Sequence, residues 1–205
     1  MAIDRKTISG VILAGGQAKR MNYQDKGLLN YKDKPIISYA ISAMSGVVGE
    51  LKINVNHNLA AYKQFNLPLI TDLNNNYDGP LAGILSAMNQ TNGDILVVIP
   101  CDSPLVSSCH LQRLINALAD HDADIAVAFD GTQLHSVFLA IKTKLKNNLE
   151  NYLGTNQKKV SIWLERQNLV KVNFKDTADI FFNINTADDL QKLELQNLTN
   201  ERNDF

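Results

Sequence analysis

Short apolar runs alternate with segments of helical periodicity along most of the chain. A first strand is predicted over about residues 8 to 14. A helix pattern up to Gly46 follows, with Pro35 in its first turn and apolar residues at the i, i+4, i+8 spacing of one helix face. Leu51 to Asn56 then alternates apolar and polar side chains, which is typical of a strand. The opening of the chain therefore predicts βα units.

The alternation continues through the middle of the chain. A weak helix is predicted around 58 to 65, a short strand over 67 to 70, and a helix with an apolar face from Leu81 to Met88. Ile95 to Ile99 is the most apolar run, and Pro100 stops it. Because a strand buried on both faces reads as a continuous apolar run, this segment is predicted to be a central parallel strand.

A helix over about 108 to 119 and a strand over 125 to 129 complete a pattern that predicts an open α/β sheet, mostly parallel, with helices on both faces. From Gly131 the pattern changes, and Gln133 to Ser136 with Val137 to Ile141 are predicted to form a turn or hairpin that extends the sheet. The remaining predicted elements are helices around 143 to 153 and 158 to 166 and a strand over 169 to 174. Thr186 and Asp189 form a capping box that predicts a last helix, and the tail over about 197 to 205 is predicted to be frayed.

Length and charge narrow the classes of function. The 205 residues, 45% of them hydrophobic, suit a single domain over residues 1 to 205, and the net charge of −1 provides no basic field for nucleic acid or an anionic membrane. Cys101 and Cys109 lack the spacing of a zinc site or a disulfide framework. Because the chain shows neither a membrane-length apolar run nor a signal-peptide pattern at its start, we expect a soluble cytoplasmic protein.

A glycine turn rimmed with cations follows the first strand. Gly15 and Gly16 allow close approach of the backbone to an anion, and Arg20 and Lys26 can neutralise its charge. The segment fits neither the Walker pattern, since Gly16-Gln17 stands where Lys-Ser/Thr is required, nor the GxGxxG pattern. It is predicted to be a phosphate loop of another kind, the alternative being a tight turn with solvated cations.

Polar residues end four predicted strands, namely Gly15-Gly16, Asn54 to Asn56, Asp72 and Asp102. Because ligands of open α/β sheets lie at the carboxyl ends of the strands, we expect these residues to converge. Asp102 is predicted to hold Mg²⁺, which needs only one or two protein carboxylates beside water and phosphate; the alternative is a cap for the helix after Pro104. Asp72 and Asn54 suit a base or ribose, or else a turn.

Other polar residues are less informative. The segment from Asp78 to Gly83 is predicted to form one wall of a base pocket. The scattered histidines give no support to a hydrolytic triad, and only His135 is placed to line a second substrate pocket. Cys101 is predicted to be a small buried hydrophobic residue rather than a nucleophile.

Several motifs carry a resemblance to one family over nearly the whole chain. They are the string LAGG-x3-RM-x3-DKGL from Leu13 to Leu28, Asn54-Val-Asn56, Asp72 with Gly79-Pro-Leu-Ala-Gly83, Pro100-Cys-Asp-Ser-Pro104, and Phe182-Asn-Ile-Asn-Thr186 followed by Asp188-Asp-Leu190. In this combination and order the chain resembles the molybdenum cofactor guanylyltransferases.

The resemblance implies a Rossmann-like domain of the nucleotide-diphospho-sugar transferase type. Such an enzyme would bind GTP and Mg²⁺, transfer GMP to molybdenum-bearing molybdopterin, and release pyrophosphate. It would also make transient contacts with cofactor-supplying proteins and molybdoenzyme chaperones. The residues that the resemblance implies as GTP contacts are Leu13, Ala14, Gly15, Gly16, Lys26, Asn54, Asp72 and Asp102. It implies Asp102 as the metal ligand as well, and it implies a catalytic role for Arg20, Lys26 and Asp102. Arg20 and Asp25 would support the loop or the reacting phosphates, and Asn183 and Asn185 would lie toward the pterin.

The chain departs from the family pattern at two places. Asn22-Tyr23 replaces the usual Gly-Gly after Arg-Met, and His135-Ser136 replaces a His-Pro near the pterin pocket. Two alternatives stay open. One is a related nucleotidyltransferase that uses CTP or a sugar phosphate, although cytidylyl relatives typically carry LAAG where this chain has LAGG. The other is a non-catalytic nucleotide or cofactor carrier, which Asn22-Tyr23 would favour.

Overall fold

The computed structural model describes residues 3–15, 25–73 and 79–184, together with residues 189, 191 and 193. These residues form a seven-stranded sheet with the strand order β5-β4-β1-β6-β8-β7-β9 and a separate two-stranded hairpin, β2-β3. The strands are β1 (Ile8–Leu13), β2 (Asn30–Tyr31), β3 (Lys34–Pro35), β4 (Glu50–Asn54), β5 (Leu69–Ile70), β6 (Ile95–Pro100), β7 (Ile125–Phe129), β8 (Leu134–Lys142) and β9 (Leu169–Asn173).

Helices cover both faces of the sheet. They are α1 (Ile37–Ser45), α2 (Leu59–Tyr62), α3 (Pro80–Asn89), α4 (Ser108–Asp120), α5 (Lys146–Gly154) and α6 (Val160–Leu164), with 3-10 turns at Arg5–Thr7, Lys26–Leu28, Lys63–Phe65, Thr143–Leu145 and Lys175–Phe181. Alternate residues of β1 enter different cores: Ile12 packs in the cluster that contains α1 and α4, whereas Val11 packs in the cluster that contains α3, α5 and α6. This alternation is the two-faced burial that a central strand requires.

The predicted sheet is confirmed. β1 pairs in parallel with β4 and β6, β4 pairs in parallel with β5, and β7 pairs in parallel with β9. The strand over Ile95–Pro100 is central, as its continuous apolar run predicts. In the part of the chain that the structure describes, no helix is both long and apolar enough to span a membrane.

Two local predictions were wrong. Pro35 belongs to the β2-β3 hairpin rather than to the first turn of α1, which begins at Ile37. The predicted turn or hairpin over 133 to 141 is instead one strand, β8, which lies antiparallel between β6 and β7. Its pairing with β7 shifts register between Val127 and Ala128, and this bulge interrupts the alternation by which a strand is recognised in a sequence. Three residues of the predicted last helix are described, Asp189, Gln191 and Leu193, and all three are helical. Thr186, where that helix was predicted to begin, and the tail from 197 lie outside the described residues.

Candidate functional site

A cavity of about 440 Å³ lies at the carboxyl ends of three neighbouring parallel strands, β4, β1 and β6. Leu13 is in register with both Asn54 and Pro100, so the three strands end at one level. The cavity is lined by Leu13, Ala14, Gly15, Asp25, Lys26, Asn54, Asn56, Asp72, Gly79, Pro80, Pro100, Cys101, Asp102 and Val137. Of the residues predicted to converge at the strand ends, the cavity brings together Gly15, Asn54, Asn56, Asp72 and Asp102.

Sheet hydrogen bonds continue past the strand ends and fix the first residues of the loops. The amide of Ala14 donates to the carbonyl of Asn54 at 2.8 Å, and the amide of Cys101 donates to the carbonyl of Leu13 at 3.1 Å. The backbone immediately before Gly15 and immediately before Asp102 is thus held by the sheet itself. A ligand at this edge would meet a rigid floor.

Lys26 and Asp102 form the charged part of the cavity. Lys26 Nζ lies 3.6 Å from Asp102 Oδ2, and the two side chains are 28% and 14% exposed. Asp102 Oδ1 is buried and has no hydrogen-bond partner among the described residues. Burial raises the pKa of the Asp102 carboxyl, while the neighbouring Lys26 cation opposes the rise.

An orphaned carboxylate oxygen in a ligand cavity fits a metal-binding role, because a buried acceptor without a donor is costly unless something else satisfies it. The described residues contain no cluster of three or more His, Cys, Asp or Glu side chains placed to hold a metal ion. A hard divalent cation bound beside phosphates needs only one or two protein carboxylates. The donor set at Asp102 therefore fits such a cation.

A carboxylate held by two amides forms another wall of the cavity. Asn54 Nδ2 donates to Asp72 Oδ1 at 2.9 Å, and Asn56 Nδ2 donates to Asp72 Oδ2 at 2.8 Å. The amide of Asp72 in turn donates to Asn56 Oδ1 at 2.9 Å. Each of these three side chains is therefore orientated by another, and Asn54 is only 3% exposed.

Two glycines make room for this network. A Cβ on Gly15 would lie 2.7 Å from Asn56 Nδ2, and a Cβ on Gly83 would overlap Asn54 Oδ1 and lie 2.9 Å from Leu13 Cδ2. Gly83 of α3 was predicted to belong to a wall of the base pocket. The structure places it behind that wall, where its small size admits the side chain of Asn54.

Tyr62 contacts a lining residue of the cavity from behind and was not predicted from the sequence. Its ring is fully buried, and its hydroxyl donates to Asp25 Oδ1 at 2.5 Å. Tyr62 lies in the short helix α2, and nothing in the local sequence distinguishes it from an ordinary core tyrosine. Cys101 packs nearby as the buried thiol that was predicted, and burial, with Asp102 and Asp25 nearby, raises its pKa.

The C-terminal part of the described chain reaches the same turn as Asp102. Ser103 Oγ donates to Asn183 Oδ1 at 2.6 Å, and the amide of Ile184 donates to the carbonyl of Asp102 at 3.1 Å. Ser103 is almost completely buried. Asn183 is therefore anchored beside the candidate metal ligand.

His135 belongs to a compact group next to Val137, which lines the cavity. Its Nε2 lies 2.7 Å from Asp130 Oδ2, and its ring stacks on Phe181 with centroids 3.6 Å apart and planes 7° apart. Asp130 Oδ1 also accepts hydrogen bonds from Thr132 and the amide of Gln133, and these bonds lower the pKa of the Asp130 carboxyl. The imidazole is thus fixed in plane by stacking and in rotation by a carboxylate.

Some residues predicted for the site lie outside the described residues. These are Gly16, Arg20, Asn22, Tyr23, Asp78 and Asn185.

Comparison with known proteins decides the family. A family model described as "MobA-like NTP transferase domain" matches residues 10–171. The molybdenum cofactor guanylyltransferase of Shewanella piezotolerans is 37% identical to the chain over 199 residues, which cover 97% of each protein. The chain belongs to the molybdenum cofactor guanylyltransferase family. The member from Shewanella loihica is 39% identical over 186 residues, covering 91% of this chain and 95% of that protein.

A solved structure shows that the fold of this chain is similar to that of a related biosynthetic protein. Molybdopterin-guanine dinucleotide biosynthesis protein A from Archaeoglobus fulgidus superposes with a TM-score of 0.75 at 23% identity, covering 90% of this chain and 95% of that one. The resemblance drawn from the sequence motifs is therefore confirmed. The chain is a nucleotidyltransferase of the guanylyltransferase family, and the cavity at the strand ends is its candidate nucleotide site.

Proposed function

We propose that this protein transfers GMP from GTP to the terminal phosphate of molybdenum-bearing molybdopterin, forming the guanine dinucleotide cofactor and pyrophosphate. The observation that carries the proposal is the pairing of Lys26 with Asp102 at 3.6 Å in the cavity at the strand ends. A cation beside a carboxylate that can bind metal is what a site needs to hold a triphosphate. The family supplies the identity of the nucleotide and of the acceptor.

The nucleotide would lie across the ends of β1, β4 and β6. In this proposal the backbone of Leu13, Ala14 and Gly15 borders the phosphates, where the absence of a side chain at Gly15 permits close approach. Asn54 and Asp72 lie on the side of the base and ribose. Because they are already hydrogen-bonded to each other, they form a wall that a nucleotide meets without reordering those side chains.

Asp102 would hold Mg²⁺ through its carboxylate, with the remaining ligands supplied by water and phosphate oxygens. The orphaned Oδ1 supports this assignment, since no described residue satisfies it. When bound, the ion supplies charge neutralisation at the triphosphate and at the leaving pyrophosphate. Lys26 contributes a second positive charge at the same place, and Arg20 remains a predicted third.

The acceptor needs little activation by the protein. A phosphate monoester is already largely dianionic at neutral pH, because its second pKa is about 6. Its oxygen attacks the α-phosphorus of GTP, a new phosphoanhydride bond forms, and the bond from the α-phosphorus to the bridging oxygen breaks, so that pyrophosphate leaves with the electron pair. The protein's task is therefore to position two polyanions and offset their repulsion.

The molybdopterin would approach from the side of Asn183. The bond from Ser103 to Asn183 holds this residue next to the turn that carries Asp102, which supports the proposal that Asn183 faces the acceptor. Asn185 is proposed for the same side from the family motif.

The test is pyrophosphate release by the purified protein with molybdenum-bearing molybdopterin, Mg²⁺ and either GTP or CTP. The proposal expects release with GTP that depends on the pterin and on Mg²⁺, and little release with CTP. Equal or faster release with CTP would assign the protein to the cytidylyl branch. Tight GTP binding with no release under any of these conditions would indicate a carrier and would contradict the proposal.

A further inference from the structure

We infer that Tyr62 is a positioning residue, which fixes Lys26 for the triphosphate through its hydrogen bond to Asp25. The inference rests on the proposed role of Lys26 in binding phosphate. It assigns a task to a side chain that lies on α2, far from the phosphate loop in sequence, and whose hydroxyl does not itself line the cavity.

The Asp25 carboxylate bonds a side chain of another element instead of capping its own turn. Asp25 stands immediately before the 3-10 turn Lys26–Leu28, at the position where a side chain commonly caps the first amides of a turn. Its carboxylate makes no such cap bond, and the turn is closed instead by the amide of Leu28 donating to the Asp25 carbonyl at 3.0 Å. Asp25 Oδ1 accepts the hydroxyl of Tyr62 at 2.5 Å. The side chain thus ties the start of the turn to α2.

The turn Lys26–Leu28 also packs against the Tyr62 hydroxyl. A Cβ on Gly27 would lie 2.7 Å from the Tyr62 hydroxyl oxygen and 3.3 Å from Cys101 Sγ. The turn is therefore pressed onto Tyr62 and onto the end of β6 with no space between them. Lys26 lies between the two residues, Asp25 and Gly27, that Tyr62 contacts, so the hydroxyl fixes the backbone from which the Lys26 side chain extends.

The Tyr62 hydroxyl donates its hydrogen bond from a buried position. Tyr62 is fully buried, and its pKa is raised chiefly by that burial, with Cys101 and Asp25 adding to the effect. A phenol with a raised pKa stays protonated at neutral pH, so the hydroxyl remains a hydrogen-bond donor there. Among the described residues, the Tyr62 hydroxyl donates to the Asp25 carboxylate. The ring is held by core packing that includes Phe65, with 6.0 Å between the ring centroids.

The decisive substitution is Tyr62→Phe, which keeps the ring and removes the hydroxyl. The measurement is the affinity for inorganic tripolyphosphate by titration calorimetry, so that it depends on Lys26 but not on turnover. We expect Tyr62→Phe to weaken binding about fivefold, on the order of one hydrogen bond's net contribution. In the Lys26→Ala background the same substitution should change the affinity by less than about twofold, because the positioned group is already absent.

Tyr152→Phe is the matched control. Tyr152 is also buried, at 6% exposure, and its hydroxyl donates to the carbonyl of Lys159 at 2.9 Å in a different core cluster. Its loss should leave the tripolyphosphate affinity unchanged. Unaltered binding in Tyr62→Phe, or an equal loss with and without Lys26, would overturn the inference. Pyrophosphate release by the wild-type protein is measured separately, so a failure of the proposed transfer reaction can be told apart from a failure of Tyr62 to position Lys26.

Discussion

Lys26 and Asp102, which come from the loop after β1 and the turn after β6, form an ion pair with Nζ and Oδ2 3.6 Å apart. The pair leaves Asp102 Oδ1 without a hydrogen-bond partner among the described residues. A buried carboxylate with one engaged and one orphaned oxygen is a poor structural ion pair, since it forgoes part of the compensation for its own desolvation. It is a suitable place for a metal-bound anion, which would satisfy both groups.

Removal of the Lys26 cation should lower the rate of pyrophosphate release without unfolding the protein. We expect Lys26→Ala to reduce pyrophosphate release by on the order of 10²-fold or more, by analogy with the loss of one oxyanion donor. Lys171→Ala is the charge-matched control, because Lys171 is exposed and lies on β9, the edge strand at the end of the sheet away from the cavity. Near-normal turnover of Lys26→Ala with GTP and cofactor would show that another group neutralises the phosphates.

Asp102→Asn should uncouple GTP binding from Mg²⁺. The amide keeps the shape of the side chain but lacks the charge that a hard cation prefers. We expect the gain in GTP affinity that the wild-type protein shows on addition of Mg²⁺ to disappear, and turnover to fall on the order of 10²-fold or more. Calorimetric titration with and without the metal gives the affinities. A variant whose GTP affinity still responds to Mg²⁺ would place the metal on other ligands.

Asp72→Asn should loosen the wall formed with the two asparagines. Asp72 accepts from Asn54 and from Asn56 with separate oxygens, whereas an amide at this position offers only one oxygen. We expect the free energy of unfolding to fall by about 1.5–3 kcal/mol, the contribution of one hydrogen bond to a charged group. Urea unfolding measures this loss, and an unchanged midpoint would mean that the network contributes nothing to stability.

Gly83→Ala and Gly154→Ala form a matched pair of helical substitutions. A Cβ at position 83 would overlap Asn54 and come 2.9 Å from Leu13 Cδ2, whereas a Cβ at Gly154 meets nothing within 4 Å. Overpacking should cost Gly83→Ala about 1–3 kcal/mol of unfolding free energy and weaken GTP binding. Gly154→Ala should be neutral or gain up to about 1 kcal/mol from helix propensity. Equal stability of the two variants would show that Asn54 can move without cost.

The Asp130 carboxylate should add a recognisable pH dependence to stability. Hydrogen bonds from Thr132 first, then from Gln133 and His135, lower its folded-state pKa below the unfolded value of about 3.9. Its contribution is therefore fully present above about pH 4 and is lost as the pH falls through the lower folded-state pKa. In Asp130→Asn the unfolding free energy should decline less steeply below about pH 4. Urea unfolding at each pH measures the free energy of unfolding of both proteins. If that free energy fell equally steeply in the two proteins below about pH 4, the assignment would be contradicted.

The sequence predicted the parts of the fold that depend on local periodicity. Ile95 to Ile99 was recognised as a central strand because burial on both faces requires an unbroken apolar run, and the structure places it in β6. β8 was missed as a single strand because its register shift with β7 depends on a partner strand and not on its own residues. Pro35 was misplaced because the same fixed φ suits a first helical turn and a short hairpin.

For the site, the sequence determined which residues end the strands and which family the chain resembles, since motif spacing and strand polarity are properties of neighbouring residues. Gly15, Asn54, Asp72 and Asp102 could be named together because parallel strands end at one edge of a sheet. Only the tertiary structure decided how these groups are held: that Asp72 is bonded by two amides and that Tyr62 bonds Asp25. Such contacts join side chains from separate elements, and their geometry is set by the packing of the whole sheet and its helices rather than by any local pattern.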